Sequence, residues 1–177
     1  AFDGTAGRKI WGNSEAHVGG IMGMSVSSNG KQLASVGQDG QLALWDFADG
    51  QLQQRTEIAS GWVEHVAWSK SSNHLAVSSG RVVTILSSSG EKIWSSENHP
   101  STVSALEWVT DQELSTTCYG RVTFFNTSSG KENERLKWQG SLVSLALSPD
   151  GNVVACGSQD KSVHFWRRSN GQDSMMS

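Results

Sequence analysis

Apolar and polar residues alternate along this chain in short runs, and the runs recur about every 40 residues. IMGMSV, VEHVAW, VSALEW and LVSLAL close one kind of run, and LALWDF, VVTILS, VTFFNT and VHFWRR form another. Trp45, Ile85, Phe125 and Trp166 fall at one position of this period, at steps of 40, 40 and 41, and Gly50, Gly90, Gly130 and Gly171 follow with the same steps. A period of two in segments rich in Val, Ile, Thr and Trp describes half-buried strands, and no window of a dozen residues keeps apolar positions at helical spacing. The first complete unit reads as strand a at 21–27, b at 32–37, c at 41–47 and d at 51–58. Its turns fall at Ser28-Asn29-Gly30, Asp39-Gly40 and Asp49-Gly50, pairs that suit the backbone of tight hairpins. Strands a, b and c of the later units fall at 62–69, 73–78 and 81–87; at 102–109, 113–117 and 121–127; and at 142–148, 153–157 and 162–167.

Four short antiparallel strands per unit of about 40 residues describe the blade of a β-propeller, so the fold expected is all-β. The ends of the chain refine this. AGRKIW at 6–11 matches SGEKIW at 89–94, which makes 1–11 the tail of a preceding blade. Repeats at 12–58, 59–96, 97–138 and 139–177 follow, the last only beginning its strand d. The whole chain reads as one propeller segment, part of a larger seven- or eight-bladed ring. Its open edges are expected to pair with flanking sequence or with a second copy.

Composition narrows the function classes. The 177 residues carry a net charge of -3, with 36% hydrophobic and 18% charged residues, enough for a sizeable core. The 14 Lys and Arg are scattered, so no basic face for nucleic acid or anionic membrane is expected. No apolar run approaches the ~18 residues of a membrane span. Cys118 and Cys156 lie at non-equivalent repeat positions and read as buried thiols of a reducing, cytoplasmic compartment rather than as a disulfide. Targeting signals are not readable. His17, His65, His74, His99 and His164 show no metal-ligand spacing, no phosphate-cradling glycine loop occurs, and neither metal nor cofactor is expected. Most of the 8 tryptophans fall on repeat positions and read as packing residues; Trp62, at the entry to a strand a, is the exception.

SPDG at 148–151, Trp45-Asp46 six residues after Asp39, and Trp166 six after Asp160 resemble the WD40 repeat family. The resemblance covers essentially the whole chain, strongly in the first and fourth complete repeats. The second and third depart from the pattern, with Ser79 and Tyr119 where the turn aspartate belongs and Ile85 and Phe125 where the tryptophan belongs. His17 and His99 stand at the family's histidine position. The resemblance implies that His17, Ser35, Asp39 and Trp45 form a buried hydrogen-bond network, although a serine, a histidine and an aspartate could be mistaken for a nucleophilic triad. The fourth repeat offers Cys156, Asp160 and Trp166, with Trp138 in the histidine position.

Two functions are then open. The resemblance implies a non-catalytic interaction scaffold binding a protein or peptide partner on the propeller's top face. On that reading the contact residues flank the start of strand a and precede the b–c turn: Trp62, Glu64, Thr102, Ser104, Ser141, Gln38, Tyr119 and Gln159. Aromatic anchors within a polar rim are what binding hot spots require. The alternative is a regulatory or substrate-binding propeller domain of a larger enzyme. The channel face offers Gln, Ser, Thr and Tyr rather than converging charged or metal-binding groups, so no catalytic residue is assigned.

Overall fold

The computed structural model describes residues 9–71 and 73–168 and the backbone of 174–176. Most of the blade tail read at 1–11 and the turn glycine Gly171 lie outside the described residues. The protein is an all-β propeller segment, with no helix among the described residues. Strands β1 (Ile21–Val26), β2 (Gln32–Gly37), β3 (Gln41–Asp46) and β4 (Leu52–Glu57) form one antiparallel sheet in chain order. A second contains β5 (His65–Trp68), β6 (His74–Ser79), β7 (Val82–Ser87) and β8 (Lys92–Ser95). The remaining strands are β9 (Ala105–Thr110), β10 (Glu113–Asn126), β11 (Glu132–Leu147), β12 (Val153–Ser158), β13 (Val163–Arg167) and β14 (Ser174–Met176). They share one sheet in the order β14-β13-β12-β11-β10-β9.

Two long strands in that sheet each serve two repeat positions. β10 pairs with β9 through Glu113–Thr117 and with β11 through Tyr119–Phe125. β11 pairs with β12 from Leu142 onward. The third and fourth repeats, separate sheets on the sequence reading, are therefore joined in one ladder through Tyr119↔Ser141.

Each sheet is apolar on both faces, and the faces stack. Ala34, Val36, Leu42 and Leu44 of the first blade meet Val63, Trp68, Leu75, Val77 and Leu86 of the second. The second blade turns Ala76, Val83 and Ile85 to Val103, Trp108 and Leu114 of the third. Val122, Phe124 and Leu136 of the third meet Leu142, Val154, Cys156 and Trp166 of the fourth. Burial of each large side chain contributes about 1.5–3 kcal/mol. The stacking sets β1, β5, β9 and β11 beside one another.

This packing corrects one equivalence. Trp45 faces away from the second blade, towards Ala16. The second-blade residue oriented the same way is Leu86, facing the first blade, not Ile85, which faces the third. The registers give the reason. Val36 pairs with Leu42 across residues 37–41, but Ser78 pairs with Val83 across 79–82. Likewise the c–d turn closes from Asp46 to Gln51 in the first blade and from Ser87 to Glu91 in the second. Shorter turns offset a longer approach to the second blade, so a constant period aligns the glycines yet slips by one on strand c.

At the ends of the stack the same apolar positions meet no neighbouring blade among the described residues. Phe165 is 43% exposed where Leu44 is 1% exposed, and Val163 stands beside it on β13. On β1, Met24 and Val26 are exposed where Val66 and Trp68 of β5 pack on the first blade.

The b–c turns hold Gly40, Gly80 and Gly120 at φ of 74°, 55° and 83°, and the fourth repeat puts Lys161 there at φ 75°. A side chain in this region costs roughly 1–2 kcal/mol. Lys161→Gly is expected to stabilise the protein by about 0.5–1 kcal/mol, because relief of that strain exceeds glycine's extra chain entropy. Gly40→Ala is expected to destabilise by about 1–3 kcal/mol, since its new Cβ would also meet the carbonyl of Ala59. Urea unfolding midpoints read both.

Candidate functional site

His17 lies in the loop before β1 with its side chain fully enclosed. Its Nδ1 is 2.9 Å from Asp39 Oδ1, its Nε2 is 2.8 Å from Ser35 Oγ, and Trp45 Nε1 donates to Ser35 Oγ at 2.9 Å. One assignment satisfies every group: Nδ1–H donates to Asp39, and the Ser35 hydroxyl donates to Nε2 while accepting from the indole. Asp39 also accepts from the amides of Val18 and Gln41. The chain ties the approach loop to the b–c turn and to β2 and β3. Ser35 is buried beneath Trp45, so its hydroxyl faces no space in which a substrate could sit.

Burial alone would raise the Asp39 pKa, but the hydrogen bonds from His17 and the two amides outweigh it and hold the carboxyl below its ordinary range. In the third repeat His99 Nδ1–H donates to Arg81 O at 3.0 Å, and Thr116 Oγ1 lies 3.0 Å from Nε2. Thr116 takes the part of Ser35, and Phe125 packs on the imidazole with ring centroids 5.6 Å apart. Burial depresses the His99 pKa. The sequence reading missed Thr116 because the shortened b–c turn moves it one position off the period. In the fourth repeat Asp160 bonds to Ser162 instead of to a loop residue. Trp138 lies against His164 with ring centroids 3.6 Å apart and planes tilted by 36°, and burial pushes the Cys156 thiol up to about 12.

The eight contact residues read from the sequence gather at one end of the blades. The b–c turn of each of the first two blades accepts an amide from the approach to the next strand a, Val63 N to Gly37 O and Val103 N to Gly80 O. Thr102, Ser104, Tyr119, Ser141 and Gln159 line one hollow of about 470 Å3 between the third and fourth blades, with Ser101, Leu142 and Val143. Tyr119 is 59% exposed at its rim. Ser104 is engaged internally, donating to Leu142 O at 2.5 Å and bonding to Thr117 Oγ1. Trp62, Glu64 and Gln38 lie outside the hollow. Trp62 is 53% exposed, while Glu64 accepts from Gly80 N and Gln38 from Gly20 N. Among the described residues no group of three or more His, Cys, Asp or Glu could hold a metal ion, and no helix is long and apolar enough to cross a membrane.

A family model described as "Outer membrane protein assembly factor BamB" matches residues 1–146, and one described as "WD domain, G-beta repeat" matches 132–167. The chain belongs to the first of these families, whose model covers most of it, and its last repeat matches the WD repeat. It is 26% identical over 164 residues to the B-type cell cycle switch protein ccs52B of Medicago truncatula, covering 88% of this chain and 34% of that protein. It is 26% identical over 165 residues to the meiotic fizzy-related protein 1 of Schizosaccharomyces pombe, covering 88% and 39%. The WD repeat-containing protein SL1-17 of Schistosoma mansoni is 28% identical over 155 residues, covering 84% and 51%. The chain thus spans a third to a half of the length of these curated relatives. A crystal structure of the computationally designed Ika4 protein superposes with a TM-score of 0.77 at 20% identity, over 88% of this chain and 95% of that one. That likeness concerns the fold alone.

In this propeller, His17→Ala is expected to destabilise by about 1–3 kcal/mol, because it strands the buried Ser35 hydroxyl and the Asp39 carboxylate. A hydrolytic activity lost without any change in thermal midpoint would contradict this structural role. Acid should act in two stages. His99, neutral in the folded state below its ordinary pKa, makes stability fall once pH drops below roughly 6.5, as the unfolded chain takes up the proton first. Asp39, depressed in the folded state, contributes stability above roughly pH 4 that is lost as pH falls through its folded value. His65 adds to the first stage and Asp111, Asp150 and Asp160 to the second, and urea midpoints that do not change between roughly pH 7 and pH 4 would contradict the first.

Proposed function

We propose that this WD-repeat chain is a non-catalytic interaction module that binds a protein or peptide partner at the blade end carrying the approach loops and b–c turns. The observation that carries the reading is the hollow of about 470 Å3 in which Thr102, Ser141, Gln159 and the exposed Tyr119 converge. A rigid aromatic beside hydroxyl and amide groups on ladder-anchored turns suits an extended peptide, with little ordering cost on the protein side. Its relatives support a regulatory role, being named as a cell cycle switch protein and a meiotic fizzy-related protein. The buried free thiols Cys118 and Cys156 support residence in a reducing compartment such as the cytoplasm.

Peptides selected by display against the whole chain provide the test. Tyr119→Ala is expected to weaken their binding tenfold or more at an unchanged thermal midpoint, as removal of an aromatic anchor does. Affinity that survives both Tyr119→Ala and Trp62→Ala would overturn the reading.

The apolar end faces, with Met24 and Val26 at one end and Val163 and Phe165 at the other, support self-association through unpaired blades. Sedimentation of the isolated chain is expected to show a dimer or larger species, and a stable monomer at micromolar concentration would exclude it.

A further inference from the structure

A second hollow, of about 410 Å3, opens between the outer strand of the second blade and the third blade, and shares no lining residue with the first. One wall is aromatic, Trp94 and Phe125, with ring centroids 6.2 Å apart. The indole N–H is already engaged with Thr127 O at 2.5 Å, so this wall offers apolar surface only. Arg121 forms part of the floor. Its Nε is buried without a hydrogen-bond partner, and no ion pair among the described residues reaches its guanidinium.

An unpaired buried guanidinium nitrogen is costly, and folded proteins rarely leave one. The contrast within this chain is direct. Arg81, which follows the turn glycine of the second blade as Arg121 follows that of the third, donates its Nε to His99 O at 2.6 Å. The other charges around the hollow are accounted for. Arg135 Nη2 pairs with Glu132 Oε2 at 2.7 Å, and Glu97 is exposed at the rim. His99 is bonded at both ring nitrogens. Glu97 and Glu132 match Arg121 and Arg135 in number, and Arg121, beside the aromatic wall, is the arginine of the hollow that no ion pair among the described residues engages.

We infer that this hollow binds the carboxylate side chain of an Asp or Glu in a partner peptide, held by Arg121, with a neighbouring apolar side chain against Trp94 and Phe125. A planar guanidinium matches a carboxylate with two parallel N–H donors. A phosphate would bring a second negative charge close to Glu97 and Glu132, so the singly charged group is favoured. The site stands independently of the face bearing Tyr119.

The test uses the whole chain and three capped dipeptides, acetyl-Phe-Glu-amide, acetyl-Phe-Gln-amide and acetyl-Phe-phosphoserine-amide, followed through the Arg121 Nε–H and Trp94 Nε1–H resonances. The Glu peptide is expected to shift both signals saturably, with the Gln and phosphoserine peptides at least tenfold weaker. Arg121→Gln is expected to abolish the Trp94 shift while leaving the unfolding midpoint unchanged or higher, since it removes an unpaired charge rather than a bond. Equal responses to Glu and Gln, tighter binding of phosphoserine, or a lowered midpoint in Arg121→Gln would each overturn the assignment.

Discussion

A sheet that is apolar on both faces cannot stand alone in water, and the whole molecule follows from that constraint. Every blade here needs a neighbour on each side, because Leu42 and Leu44, Val83 and Ile85, or Val122 and Phe124 point to the next blade while Leu86, Trp108 or Trp166 point to the one before. Stacking is the only arrangement that removes both sets from water while leaving the backbone ladders intact. The same demand aligns the loops at the two ends of the blades. It confines any partner surface to those ends and to the seams between outer strands.

Polar residues fasten what apolar burial brings together. Trp11 Nε1 donates to Phe47 O at 3.0 Å and Trp94 Nε1 to Thr127 O at 2.5 Å. Each indole thus caps the c–d turn of the following blade, over Gly50 and Gly130. Arg168 bonds Glu113 and Glu134 of the third blade and lies over the Phe124 ring at 3.8 Å, clamping the fourth blade to the third. The chain of His17, Asp39, Ser35 and Trp45 does the same for a loop. Its likeness to a catalytic triad is geometric, and the burial of the serine decides the chemistry.

With the repeating positions committed to packing, the exposed ring of Tyr119 and the unpaired nitrogen of Arg121 belong to residues that break the repeat. Tyr119 occupies a turn shortened by one residue, which projects its ring outward beside Thr102 and Ser141. Arg121 leaves its guanidinium unpaired where Arg81 closes on a carbonyl. Both departures lie in the third repeat, where the WD40 pattern is weak and its buried network has lost the aspartate. Weakening of the structural signature and appearance of exposed or unpaired groups coincide there.

Alternation, the 40-residue period and turn pairs such as Asp39-Gly40 determined the strands, the blade and the propeller class, because these depend on local propensity and on which faces must be buried. The members of the network at His17, Ser35, Asp39 and Trp45 were equally legible, since the first repeat keeps the family spacing without a gap. Tertiary structure alone decided that Leu86 rather than Ile85 faces the first blade, that Thr116 partners His99, and that β10 and β11 join the last two blades. Each depends on turn lengths that vary by one residue while the period stays constant, and on a strand one residue reverses the face. The gathering of Thr102, Tyr119, Ser141 and Gln159 into one hollow, and the isolation of Arg121 in another, were likewise settled by how adjacent blades meet, a geometry that no single repeat encodes.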